Sequence, residues 1–185
     1  MTTSSRVRGP VRDTCGMRLW LLRHAKSSWD RPGLDDRERP LTRRGERAAA
    51  LLRAYLEAEE IRPDLVLCSS ALRTRETLAQ ILPALGTELT IRIEPRLYGA
   101  DPAELLEVVC GVRDAGGVLL IGHNPGMQEL AIALASRGDR LGVLTTKFPT
   151  GALAEISLPD GVWSDIGEGS GELTRFVTPR ELEPG

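Results

Sequence analysis

The two histidines of the chain stand in matching places: each ends a short apolar run and opens a polar turn. His24 follows Arg23 after Leu19 to Leu22, and His123 follows Gly122 after Val118 to Ile121. Arg73 lies just past a third such run, Leu65 to Cys68, behind Ser69-Ser70-Ala71-Leu72. Short apolar runs bounded by turn signals read as buried strands. In α/β sheets, ligands gather beyond the carboxyl ends of such strands. Taken singly, Arg23-His24 reads equally as a partly exposed basic pair at a strand end. Together, two arginines and both histidines at three strand-to-helix junctions suit phosphoryl transfer. Arginine holds phosphate oxygens through paired, charge-assisted hydrogen bonds and neutralises charge that moves among them during attack. A neutral imidazole serves as a nucleophile near neutral pH, its unperturbed pKa being about 6.5. A covalent phosphohistidine divides hydrolysis into two easier steps, and a second histidine can steady a phosphate oxygen.

Helical patterns separate the strands. Thr42 offers an N-cap to a helix whose apolar face is Ala48, Leu51, Leu52, Tyr55 and Leu56. Arg43 and Arg44 fall in its first turn, against the helix dipole, facing either an anion or, more simply, solvent. Ser69 or Ser70 can cap the next helix, with Leu78, Ile81, Leu82 and Leu85 inward, which puts Arg73 in a first turn where backbone N–H groups favour anions. Leu89 to Ile93 reads as a third strand in chain order. Asp101-Pro102 then starts a helix with Leu105, Val109 and Val112 on its core face. Met127, Leu130, Ala131 and Leu134 follow the fourth strand at helical spacing. Residues 136–151 read as a surface loop, Ala152 to Leu158 as an additional strand, and Leu173 to Val177 as an edge strand. This alternation implies an α/β fold, a three-layer α/β/α sandwich around a mostly parallel sheet. Residues 1–16 read as a flexible extension, 17–178 as a single domain, and 179–185 as a C-terminal tail.

Composition narrows the function. At 185 residues and a net charge of −2, with few aromatics, the chain has neither the basic surplus nor the stacking side chains of a nucleic-acid binder. No stretch reaches the length of a membrane span, and Arg6, Arg8 and Arg12 precede no apolar segment of the secretory kind. Cys15, Cys68 and Cys110 are odd in number and lack metal-ligand spacing. They read as thiols, Cys68 and Cys110 buried, of a reducing cytoplasm. No metal or cofactor is expected, and a monomer is the default.

Arg23-His24-Ala25 resembles the Arg-His-Gly signature of the histidine phosphatase superfamily, which has the phosphoglycerate mutase-like fold. Pro40-Leu41-Thr42 with Gly45, then Ser69 to Thr77, then Gly122-His123-Asn124-Pro125-Gly126 match its later signatures in order over about residues 17–158. Arg-His-Ala-Lys-Ser-Ser-Trp looks most like the SixA-type phosphohistidine phosphatases. The resemblance implies that His24 is the phosphorylated nucleophile and that Arg23, Arg73 and His123 complete the phosphate pocket. Ser27 and Asn124 are further candidate phosphate ligands. The free ring nitrogen of His24 should be the one opposite a nitrogen that donates to a backbone carbonyl.

The sequence departs from the pattern in two places. Ala25 replaces the glycine, and Pro95 stands roughly where mutase-like members carry an acidic glutamate, leaving Glu94 and Asp101 as possible general acids. Asn124 excludes the branch with aspartate after the second histidine. Without a well-placed acid, an alkoxide leaves slowly, whereas a protonated imidazole leaves readily. Phosphohistidine in a partner protein is thus the favoured substrate, a small phosphate ester or nucleotide the alternative, and a non-catalytic phosphate-binding module the third reading.

Overall fold

The computed structural model describes residues 16–30 and 33–183; the expected N-terminal extension lies, apart from Gly16, outside them. Seven strands make one sheet: β1 (Met17–Arg23), β2 (Leu65–Cys68), β3 (Thr90–Ile93), β4 (Gly117–Gly122), β5 (Ala135–Arg137), β6 (Leu153–Leu158) and β7 (Gly171–Val177). Their order is β3-β2-β4-β1-β6-β7-β5. β6 is antiparallel to both of its neighbours, β1 and β7, and every other pairing is parallel. Six helices accompany them among the described residues: α1 (Arg43–Ala58), α2 (Leu72–Ile81), α3 (Pro102–Cys110), α4 (Gly126–Leu134), α5 (Leu141–Thr146) and α6 (Pro179–Leu182).

The pleat explains the layers. Alternate residues of a strand face opposite sides of the sheet, so Leu19 and Leu21 join one core with Leu67, Leu105, Leu130 and Phe148. Trp20 and Leu22 join the other with Val66, Leu52, Leu56 and Ile81. β2 and β4 are buried along their whole length, which is why their sequences are unbroken apolar runs rather than alternating ones. The caps read from the sequence form at two helices. Thr42 accepts from the Gly45 N–H, and Asp101 makes a reciprocal capping box with Glu104.

Several expectations change. The stretch 136–151 contains the end of β5 and all of α5. β5 pairs with β7, so β7 is interior and the sheet edges are β3 and β5. Three residues are too few to show a period, and only the partner strand makes them a strand. Helix α1 is turned slightly from its predicted face: Ala49, Leu52 and Leu56 are buried while Ala48, Leu51 and Tyr55 are half-buried. Arg43 and Arg44 face solvent. The predicted tail includes α6, which has its own capping box at Thr178 and Glu181 and packs against α1. Cys68 is buried as expected, but Cys110 is only half-buried.

Candidate active site

β1, β4 and β2 are adjacent and parallel, with Arg23 opposite Gly122 and Cys68 opposite Ile121. Their carboxyl ends therefore lie side by side, and the residues that follow are brought together. The His24 N–H donates to the Gly122 carbonyl and the Ser69 N–H to that of Ile121. The rings of His24 and His123 end 5.2 Å apart between centroids, their planes inclined by 53°.

His24 is only 8% exposed. Its Nδ1 lies 2.7 Å from the Ala25 carbonyl oxygen. A carbonyl can only accept, so Nδ1 carries the hydrogen and Nε2 keeps its lone pair. Burial pushes the His24 pKa down to about 3; the bond to Ala25 opposes this, and His123, Arg73 and Arg23 add to it. The imidazole is thus neutral at pH 7. The segment behind it is firmly held. The Ala25 N–H donates to Thr77 Oγ1 at 3.0 Å, and that hydroxyl donates to the Arg73 carbonyl at 2.6 Å. Ala25 has no positive φ and is fully buried with Leu41 and Ala49, so alanine serves where glycine is usual. Gly45 lets α1 approach the Lys26 carbonyl so closely that a Cβ there would collide with it.

His123 Nε2 is 2.8 Å from Ser69 Oγ. Ser69 and Ser70 are not caps, as the sequence suggested: the N-cap of α2 is Ala71, with no side-chain bond. The serine hydroxyl is spent instead on the second histidine. The other ring nitrogen of His123, Nδ1, is buried and has no hydrogen-bond partner among the described residues. Burial, then Arg73, lowers the His123 pKa to about 4. Arg23 Nη1 donates to the Phe148 carbonyl at 2.7 Å, while its buried Nε likewise lacks a partner. A buried N–H of Arg23 and a buried ring nitrogen of His123 thus stand unused in the site, which is what a phosphate group would satisfy.

Arg73, in the first turn of α2, is 6% exposed. Its Nη1 donates to the Asp36 carbonyl at 2.5 Å and its Nη2 to Asp36 Oδ2 at 2.9 Å. Tyr98 Oη donates to the same Oδ2 at 2.7 Å, and Arg39 Nη1 to Oδ1 at 2.7 Å. Asp36, Arg39 and Tyr98 were not singled out from sequence. The one available signal was the i, i+3 pair Asp36 and Arg39 in an otherwise irregular loop.

The remaining candidates have partners of their own. Ser27 Oγ accepts from Arg39 Nη2 at 2.9 Å. The Asn124 amide donates to Gln128 Oε1 and the Phe148 carbonyl. Asn124 and Arg23 thus share that carbonyl. Glu94 is paired with Arg96, whose guanidinium holds its carboxyl below the usual range. Asp101 is exposed and committed to the capping box. Glu94 thus lacks the raised pKa of a general acid in waiting. Among the described residues no three His, Cys, Asp or Glu side chains gather as metal ligands, and no helix is long and apolar enough to cross a membrane.

A family model for the histidine phosphatase superfamily (branch 1) matches residues 19–102. A protein of Mycobacterium tuberculosis without assigned function is 39% identical over 164 residues, covering 86% of this chain and 100% of the relative. The chain belongs to the histidine phosphatase superfamily. It is a phosphatase by that membership. Phosphohistidine phosphatase SixA of Escherichia coli K12 is 25% identical over 90% of this chain and 97% of its own. A candidate SixA from Nakamurella multipartitia superposes with a TM-score of 0.78 at 30% identity, covering 90% of this chain and 98% of that one. The protein histidine phosphatase SixA complexed with tungstate gives 0.68 at 25% identity, over 90% and 100%.

Proposed function

We propose that this phosphatase works through a covalent phosphohistidine on His24 and that its substrate is phosphohistidine in a partner protein. The observation that carries the mechanism is the His24 ring itself: neutral, anchored through Nδ1 to the Ala25 carbonyl, its Nε2 free in a site with unpartnered nitrogens on Arg23 and His123. The Nε2 lone pair attacks phosphorus, the bond to the leaving group breaks, and that group departs with the electron pair. Arg23, Arg73 and His123 stabilise the charge on the equatorial oxygens. Water then attacks the phosphohistidine, the P–N bond breaks, and Nε2 recovers its pair.

The substrate reading rests on the acids. Glu94 and Asp101 are both engaged elsewhere, and an ester losing an alkoxide would need one. An N-phosphorylated imidazole protonated on its other nitrogen needs none, since it leaves neutral. Among the described residues, the connections from β1 to α1 and from β3 to α3 hold one helical turn each, which leaves the site open to a protein surface. The SixA relatives are named for this substrate.

The test is phosphate release in metal-free buffer from a phosphohistidine-bearing protein and from an aryl phosphate, with wild type and His24→Ala. Activity of the wild type that vanishes in the variant is expected, with the phosphohistidine protein the better substrate. Equal activity of the two proteins would refute the covalent mechanism.

A further inference from the structure

We propose that Asp36 is the specificity residue of the leaving-group side. Its carboxylate accepts the ring N–H of a protonated N-phosphoimidazole and so selects phosphohistidine over phosphate esters. The inference rests on the function proposed above and adds the group that chooses the substrate.

Asp36 stands in a single helical turn, Asp36–Glu38, in the loop after β1. A carboxylate fixed on an arginine that is to bind phosphate is an unexpected neighbour, since like charges at such range repel. It is nevertheless strongly built in. Arg73 holds both its carbonyl and its carboxylate, Tyr98 and Arg39 bind the carboxylate as well, and Arg39 is itself anchored on Ser27 Oγ and the Ser28 carbonyl. Partial burial works against the charge, but the hydrogen bonds from Tyr98, Arg39 and Arg73 outweigh it and hold the carboxyl well below its ordinary range. Arg39 and Tyr98 from two loops and Arg73 from a helix thus converge to keep one negative charge in the mouth of an anion site.

Its position suits the group that leaves. The nucleophile sits on the floor, 8% exposed, while the Asp36 side chain is 43% exposed. In-line displacement places the leaving group opposite the nucleophile, hence toward the mouth. An ionised carboxylate offers about four lone-pair sites. Arg73 and Tyr98 take two on Oδ2 and Arg39 takes one on Oδ1, which leaves one on Oδ1 for substrate.

The chemistry follows from charge. In a phosphohistidine protonated on the second nitrogen, the ring is cationic and carries one N–H. When His24 Nε2 forms its bond to phosphorus, the substrate P–N bond breaks and its pair returns to the substrate ring. That ring leaves as neutral imidazole, keeping its proton, so nothing in the site has to donate one. A carboxylate on that N–H favours the protonated ring from which the reaction proceeds. The same carboxylate repels the alkoxide that develops from an ester. Asp36 therefore acts in opposite senses on the two substrate classes.

The experiment compares kcat/KM of wild type and Asp36→Asn for a phosphohistidine-bearing peptide and for an aryl phosphate, with the inhibition constant of inorganic phosphate. Asparagine is nearly isosteric and keeps an oxygen for Arg73, and thermal melts check folding. The ratio of the two kcat/KM values should fall by roughly tenfold or more, the size of one charge-assisted hydrogen bond, and phosphate should bind more tightly. Equal losses on both substrates with weaker phosphate binding would mean that Asp36 only positions Arg73, which overturns the proposal. Equal gains would make it a mere competitor for Arg73 and overturn the proposal as well. A wild type that cleaves the aryl phosphate but not the phosphopeptide removes the phosphohistidine reading itself. An unchanged ratio in an enzyme active on both removes Asp36 alone.

Discussion

His24 and His123 should stay neutral far below the pH at which histidines ordinarily titrate. Because they are the only histidines in the chain, the imidazole region of an NMR spectrum holds just two sets of signals. At pH 5 a ring with the ordinary value of about 6.5 would be roughly 97% protonated. With burial holding His24 at about 3 and His123 at about 4, the corresponding fractions are about 1% and about 10%. Long-range nitrogen–proton correlation spectra between pH 8 and pH 5 should therefore show little movement, with the His24 ring carrying its proton on Nδ1. The His24 tautomer follows from the Ala25 carbonyl, which can only accept. Stability carries the same signature. The folded pKa of His24 lies below its unfolded value, so the unfolded state binds more protons as the pH falls through 6.5. The stabilisation present above 6.5 is then lost progressively toward about pH 3. Between pH 8 and pH 5 this amounts to roughly 2 kcal/mol from His24 alone. The acidic group Asp36, pulled below its ordinary value, loses its contribution only below about pH 4 and does not confuse this window. Urea melts of wild type against His24→Gln should show the variant's stability varying less over that range. A His24 ring titrating near 6.5, or carrying its proton on Nε2, would refute both the burial argument and the choice of nucleophilic nitrogen.

Two further substitutions probe the scaffold. Gly45→Ala drives a methyl into the Lys26 carbonyl behind the nucleophile and should destabilise by about 1–3 kcal/mol, with activity falling because the His24 segment moves; denaturant midpoints and phosphate release measure both. Glu155 is 2% exposed, accepts from Arg18 Nη1 and Trp20 Nε1, and is ion-paired with Arg175. Glu155→Gln should cost about 1–3 kcal/mol of stability while kcat/KM per folded molecule stays unchanged, since none of these residues lies in the phosphate site.

The framework of the fold is written in the local pattern of the chain. Apolar runs such as Leu65 to Cys68 are strands because burial on both faces demands them, and the polar turn after each run marks where the strand ends. Arg23, His24, Arg73 and His123 were legible for that reason, as were the caps at Thr42 and Asp101, where a cap is a matter of a few adjacent residues. Contacts between distant segments settle what local pattern does not encode. β5 exists because β7 offers it a partner. Ser69 turns from a helix it could cap to a histidine 54 residues away, and Asn124 and Ser27 turn to a carbonyl and an arginine. Asp36 reaches Arg73 across 37 residues and Tyr98 across 62. Strand formation follows from the burial of neighbouring side chains and leaves a period in the chain. A hydrogen bond between distant loops depends on where the folded sheet brings them, and leaves none.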